Sequence, residues 1–419
     1  MRRSPWILYI VLSIIGLAEY YSFIVIRSAT RNLPSVWRVT LTTLYLTATV
    51  AAWLGLIFLR RIDWSNVPHL LRNIYIAFVL GFIVGKILIL LVMLIDDIRR
   101  LITWLIGSLI YRNSPSVDSG SNGITRSLFL KQTALVLGGL SLVGFTYGIR
   151  NRYNYRVRKI KLASSSIPNA FKGLKIVQIS DIHTGSFDDH SAVAHGIQRV
   201  MDQKPDIIFF TGDLVNNHSD EVDAKYQEIF SRLKAPLGVY STLGNHDYGD
   251  YVEWPTAQAK TDNLNLLKNI HAAMGWRLMM NEHIVLERGN DKIAIIGIEN
   301  WSAKANFHSY GDMKKAYAGL EEKNIPYQIL LSHDPSHWDA QVRTEYKKVN
   351  LTLSGHTHGM QFGIDSKWFK WSPVQYMYKE WAGLYTEGEQ NLYVNRGFGF
   401  LGYPGRLGVL PEITVFELA

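Results

Sequence analysis

The chain has 419 residues, of which 47% are hydrophobic and none is cysteine. Its net charge of +9 is unevenly split: residues 1–162 carry 20 Lys+Arg against 5 Asp+Glu, whereas residues 163–419 carry 24 against 30. A mildly acidic second half with no basic run excludes a nucleic-acid footprint there, and the lack of cysteine excludes disulfides and thiolate metal ligands.

In chain order, three stretches are apolar over the roughly 20 residues that a bilayer-crossing helix needs: 6–26 with one Glu19, 39–59 with no charge, and 74–95 with one Lys86. Glu19 and Lys86 read either as an interhelical pair or snorkelling side chains, or as an intramembrane functional site such as a transporter would need. Residues 101–111 are apolar but too few to span, and are expected at the interface. Residues 113–122, rich in Ser, Asn, Gly and Pro, read as a loop.

A fourth candidate span, 133–149, follows Arg126-Ser127-Leu128-Phe129-Leu130-Lys131. That hexad resembles a twin-arginine export signal in which Ser127 stands for the second arginine. After the span come Arg150, Arg152, Arg156, Arg158, Lys159 and Lys161. The two signals disagree about sidedness. Export would carry the second half out of the cytoplasm, whereas four spans starting from a cytoplasmic Met1-Arg2-Arg3, with a basic cluster after the last, return it to the cytoplasm. The charge rule is preferred. The expected organisation is a transmembrane region of about three spans over 1–112, then a loop, a fourth apolar segment and a basic linker over 113–162, then a catalytic domain over 163–419, all in a multi-pass protein of the cell (inner) membrane.

From residue 163 the pattern changes to short β-branched runs alternating with amphipathic stretches. Strands are expected at 174–180, 207–211, 238–243, 292–298, 327–332, 349–354, 391–395 and 413–418, and helices at 190–204, 224–235, 262–275 and 312–324. Such alternation predicts an α/β layered domain.

Five short motifs sit where these strands end: Asp181-Ile182-His183, Gly212-Asp213, Gly244-Asn245-His246-Asp247, Ser332-His333-Asp334 and Gly355-His356-Thr357-His358. Each alone is a common turn or surface sequence, but strand ends along one sheet edge can converge on a single site. The glycines allow sharp turns close to that site. Imidazole, carboxylate and amide oxygen suit divalent ions of the manganese, iron or zinc kind. Two adjacent ions are a device for phosphoester hydrolysis. His190, His195, His218, His271, His283, His308 and His337 lack this context and are expected at the surface or satisfied. Arg396 and Arg406 are candidates for phosphate contact, with structural ion pairs the preferred reading. The aromatic region 368–385 is expected in the core rather than at a lipid-facing rim.

In this order the motifs resemble those of the calcineurin-like metallophosphoesterase family, and the apolar first half resembles its membrane-attached bacterial, YkuE-like branch, as do Asn395-Arg396-Gly397-Phe398-Gly399 and Pro411-Glu412-Ile413. The resemblance implies a four-layer α-β-β-α sandwich and two divalent metal ions. It implies Asp181, His183 and His358 at the first metal, Asn245, His333 and His356 at the second, and Asp213 between them. His246 is implied as a catalytic residue that is not a ligand, protonating the leaving oxygen or stabilising charge on it. Asn216 departs from family branches that place an aspartate there to orient this histidine. The activity implied is phosphoester or pyrophosphate hydrolysis, with partners that are the lipid bilayer and a phosphorylated, lipid-linked or otherwise membrane-associated substrate. A UDP-diacylglucosamine-type pyrophosphatase is the alternative within the class, and a catalytically inactive membrane scaffold or sensor the alternative outside it.

Overall fold

The computed structural model describes residues 5–58, 67–110, 126–304 and 307–419. Met1-Arg2-Arg3 and the loop at 113–122 lie outside the described residues. The chain divides into two compact units, Met1–Ile149 and Arg150–Ala419.

The first unit holds α1 (Pro5–Thr30), α2 (Ser35–Phe58), α3 (His69–Ile110) and α4 (Arg126–Gly148). Among the described residues, these four helices are long and apolar enough to cross a membrane. The stretch expected as a separate interfacial piece is continuous with α3, whose 42 residues run about 63 Å at 1.5 Å each. No proline interrupts the helix there, so it continues through the charged turn at Asp96, Asp97, Arg99 and Arg100. The export-like hexad forms the first turns of α4, and Ser127 Oγ accepts from Arg100 Nη2 of α3 at 2.8 Å. Gly85 lets α3 and α4 approach closely: a Cβ on it would lie 2.8 Å from the Gly138 carbonyl. That is the small-residue packing helices use where lipid supplies no hydrophobic drive. Glu19 and Lys86 pair across helices. Lys86 Nζ donates to both Glu19 oxygens at 2.7 Å and to Thr49 Oγ1 at 3.0 Å, and Trp53 Nε1 donates to Glu19 at 2.8 Å. The pair ties α1, α2 and α3 together.

The second unit contains strands β1 (Arg156–Leu162), β2 (Lys175–Ile179), β3 (Ile207–Thr211), β4 (Val239–Thr242), β5 (Arg277–Leu278), β6 (Glu282–Arg288), β7 (Asp291–Gly297), β8 (Tyr327–Leu331), β9 (Leu351–Ser354), β10 (Ile364–Asp365), β11 (Lys370–Trp371), β12 (Gly383–Glu387), β13 (Gln390–Val394) and β14 (Glu412–Leu418). Its helices are α5 (His190–Met201), α6 (Ala224–Phe230), α7 (Ala257–Ala273), α8 (Met313–Tyr317) and α9 (Arg343–Glu345). One six-stranded sheet runs β1-β14-β2-β3-β4-β5 and the other β12-β13-β9-β8-β7-β6, with β10 and β11 a separate hairpin.

Period-two alternation in each central strand sets the layers. Ile207 and Phe209 face the other sheet's Ile293, Ile295, Ile329, Leu331 and Leu353. Ile208 and Phe210 face α5, α6 and α7 through Ile197, Phe230 and Ile270. On the far side, Ala294, Ile296 and Leu330 pack on Met313 and Tyr317 of α8 and on Trp338. The result is the four-layer α-β-β-α sandwich. The basic residues 156–162, expected as linker, are instead strand β1, paired in parallel with β14. Their alternating exposure hid the strand: its lysines and arginines sit on an edge, where charge is tolerated. The helix expected at 312–324 ends at Tyr317.

Candidate metal centre

Three of the five motifs leave their strands through left-handed turns. Asp181 and His183 follow β2 at φ 52° and 51°, Asp213 follows β3 at 61°, and His356 and His358 follow β9 at 70° and 50°. For residues with a Cβ this conformation costs about 1–3 kcal/mol each and persists only where the surroundings enforce it. Several contacts enforce it here. The buried Asp247 carboxylate accepts the backbone N–H groups of Asp213, Leu214, Val215 and Gly244 at 2.8–3.2 Å. Asp181 Oδ1 accepts the His356 N–H at 2.8 Å, joining the two sheets' strand ends. A Cβ on Gly355 would overlap the side chains of Ser180 and Asp181.

The turns bring Asp181, His183 and His358 into one group and Asp213, His333 and His356 into another, with ligand-type atoms of each group within 4.8 Å of one another. Asp213 Oδ2 stands between them, 3.5 Å from His183 Nε2 and 3.1 Å from His333 Nε2. His358 Nε2 lies 3.3 Å from Asp181 Oδ1. Asn245 Oδ1 lies 2.8 Å from His356 Nδ1. All of these residues but His356 are buried, and His356 nearly so.

Four buried atoms in the cluster, Asp181 Oδ2 and the Nε2 atoms of His183, His333 and His358, have no hydrogen-bond partner among the described residues. Unpaired buried polar atoms cost about 1–3 kcal/mol apiece, so their convergence is what a cation site requires. The outer nitrogens are occupied: His333 Nδ1 donates to the Thr211 carbonyl at 2.7 Å and His183 Nδ1 to Asn216 Oδ1 at 3.1 Å. That fixes the tautomer with the Nε2 lone pair inward. His358 differs, because Arg406 Nη2, which can only donate, lies 3.2 Å from its Nδ1. Burial pushes Asp181 up to about 7 and His183 down to about 3. Burial opposes the charged forms of Asp213 and His333 as well, but their mutual attraction wins, holding Asp213 well below the usual range and His333 up at about 10. The donor set of carboxylate, imidazole and amide oxygen fits divalent ions.

His246 is half-buried beside the cluster, its ring 5.0 Å from that of His183. Its Nδ1 donates to the main-chain carbonyl of Asn216 at 2.7 Å. The backbone of Asn216 therefore orients this ring, while its side chain serves His183.

Three supports were not visible in the sequence. Tyr378 OH contacts His356 Nε2 at 2.8 Å and Asp334 Oδ2 at 3.2 Å. Thr357 Oγ1 donates to the Trp381 carbonyl at 2.7 Å. Arg406 is wholly buried and donates to the carbonyls of His358, Arg396, Gly397 and Gly399, clamping the loop that carries His358. Arg396 is paired with Glu412 at 2.6 Å and Asp365 at 2.9 Å. Neither arginine is available to a phosphate. Asp334 adjoins His333 in sequence and was within reach of the motif; Tyr378 and Arg406 come from irregular segments with no periodic signal. Of the other histidines, His271 and His337 are buried and bonded to Ser241 and Ser332 at 2.9 Å each.

A family model described as "Calcineurin-like phosphoesterase" matches residues 174–360, and one described as "Probable Calcineurin-like phosphoesterase, transmembrane domain" matches residues 1–152. The chain is 32% identical over 262 residues to the metallophosphoesterase YkuE of Bacillus subtilis, covering 61% of this chain and 83% of YkuE. It is 27% identical to the phosphodiesterase YaeI of Escherichia coli, covering 70% of this chain and 99% of YaeI. It is also 27% identical to the UDP-2,3-diacylglucosamine pyrophosphatase LpxG of Chlamydia trachomatis, covering 67% and 92% respectively. With the layered fold and four spanning helices already in place, this chain belongs to the calcineurin-like phosphoesterase family and is a membrane-spanning phosphoester hydrolase.

Proposed function

We propose that the chain is a dinuclear-metal phosphoesterase acting on phosphoester or pyrophosphate bonds of a membrane-associated substrate. The observation that carries this reading is the convergence of ligand-type side chains from five strand ends, four of whose buried atoms have no partner among the described residues. Asp181, His183 and His358 would hold one ion, Asn245, His333 and His356 the other, and Asp213 would bridge them. Two ions so held would supply Lewis-acid polarisation of a phosphoryl group and activation of water.

The protein's own groups do the rest. Asp213, fixed by the turn that Asp247 braces, keeps both halves of the site in register. His246 is the proton donor to the leaving oxygen: with Nδ1–H committed to the Asn216 carbonyl, its Nε2 is the nitrogen that delivers the proton. Arg406 and Tyr378 position ligands without touching substrate.

Membrane anchoring favours a substrate at the bilayer surface, because tethering raises local concentration without new contacts. Similarity to LpxG favours a lipid-linked pyrophosphate as the specific case. The basic cluster after α4 supports the cytoplasmic side for the catalytic unit. Incubating metal-loaded protein with a fractionated lipid extract and reading by mass which phosphorylated species disappears tests the substrate class. Loss of one lipid phosphoester with wild type but not Asp213→Asn is expected. Turnover of soluble esters alone would contradict a membrane substrate.

A further inference from the structure

Residues 359–382 form an excursion between β9 and β12 that includes the β10–β11 hairpin. Its inner side, Val374, Tyr378 and Trp381, packs on Val409 and supports the metal centre. Its outer side is apolar and open: Trp368 is 95% exposed, Tyr376 77%, and Phe369 and Met377 56% each. Of the ten large apolar side chains exposed among the described residues of the catalytic unit, seven fall between Met360 and Leu384. The region expected in the core is thus half core and half surface, and a concentration of this kind marks an interaction face.

We propose that this face docks on the lipid bilayer, with Trp368 and Phe369 at the hairpin tip seated at headgroup depth. The inference rests on the membrane-spanning character of the chain and not on the chemistry of the metal centre. Three observations select lipid as the occupant. First, only residues 149–155 join α4 to β1, and at 3.3–3.6 Å per residue that link reaches no more than about 25 Å. The hairpin is stapled to that same strand, since Asp365 of β10 pairs with Arg158 of β1 and with Arg396. Second, the side chains are those of a membrane interface. Tryptophan and tyrosine place amphipathic rings at the headgroups, and Lys367 beside Trp368 has a stem that can lie along apolar surface while its charge meets lipid phosphates, whereas Lys370 turns its ammonium inward to the Ala382 carbonyl. Third, the excursion holds two acids, Asp365 and Glu380, and both are paired with cations, Asp365 with Arg158 and Arg396 and Glu380 with Lys379.

The native chain has no cysteine, so Trp368→Cys in the full-length protein accepts a single environment-sensitive fluorophore. Trp368 is almost wholly exposed, so the substitution removes no buried contact; Phe369→Cys provides a second reporter. Protein carrying the label is reconstituted into liposomes of zwitterionic and anionic phospholipid, with and without nitroxide on the acyl chains. Emission at position 368 should fall on the order of threefold in nitroxide lipid, as expected for a side chain at the interface, while a label at Glu228→Cys on the exposed face of α6 changes little. Equal emission at both positions overturns the proposal. So does shielding of position 368 that follows protein concentration rather than lipid, which would assign the face to a second copy.

Discussion

At the scale of single residues, the candidate centre is held by groups outside the ligand cluster itself. Tyr378 joins His356 to Asp334, so Tyr378→Phe leaves a buried carboxylate and an imidazole without their common partner. Loss of such an outer partner costs roughly 10–100-fold in metal affinity, and a competition titration with a chromogenic chelator measures it; unchanged affinity would remove Tyr378 from the support of the site. His271 makes a separate prediction about acid stability. Burial holds it neutral down to about 3 against an ordinary 6.5, so below pH 6.5 the unfolded chain takes up a proton that the folded chain does not. Its contribution is therefore fully present above pH 6.5 and is lost by about 1.4 kcal/mol per pH unit as pH falls toward 3. Unfolding followed between pH 7 and 5 should show a shallower acid decline for His271→Asn than for wild type. Parallel declines would contradict the assignment.

At the scale of elements, two kinds of local pattern were legible and two were not. Short, mostly apolar runs such as Ile207–Thr211 and Tyr327–Leu331 are strands from end to end, as suits strands buried on both faces. The motif positions were legible too, since each follows such a run. The charged edge strand β1 was not, because its stability comes from pairing with β14, some 250 residues away. Nor was the aromatic excursion, whose inner and outer sides alternate without a period. Within the membrane region, the sequence offered Glu19 and Lys86 as a pair or a functional site, and the helices bring them together at 2.7 Å with Trp53 and Thr49 completing the bonds. Removing one member leaves the other unpaired in a low-dielectric setting, where truncating a single partner is the costly change. Thermal unfolding in detergent should rank Lys86→Met as less stable than the double Glu19→Gln/Lys86→Met variant. A double variant no more stable than the single would argue that the pair is not coupled.

At the scale of the whole molecule, a four-span anchor and a phosphoesterase sandwich are joined by a short link. If the charge rule holds, fluorescent-protein fusions at the carboxy terminus are bright and alkaline phosphatase fusions inactive; the reverse pattern would favour the export-like hexad in α4. The central claim, that the converging ligands hold two catalytic ions, is tested most directly by metal titration of the purified, metal-stripped protein against hydrolysis of a bis-ester. The account predicts that turnover rises until about two ions per chain are bound, and that Asp213→Asn neither binds the full complement nor turns over. Full hydrolysis by metal-stripped protein, or two bound ions with no hydrolysis of mono-, di- or pyrophosphate esters, would contradict it.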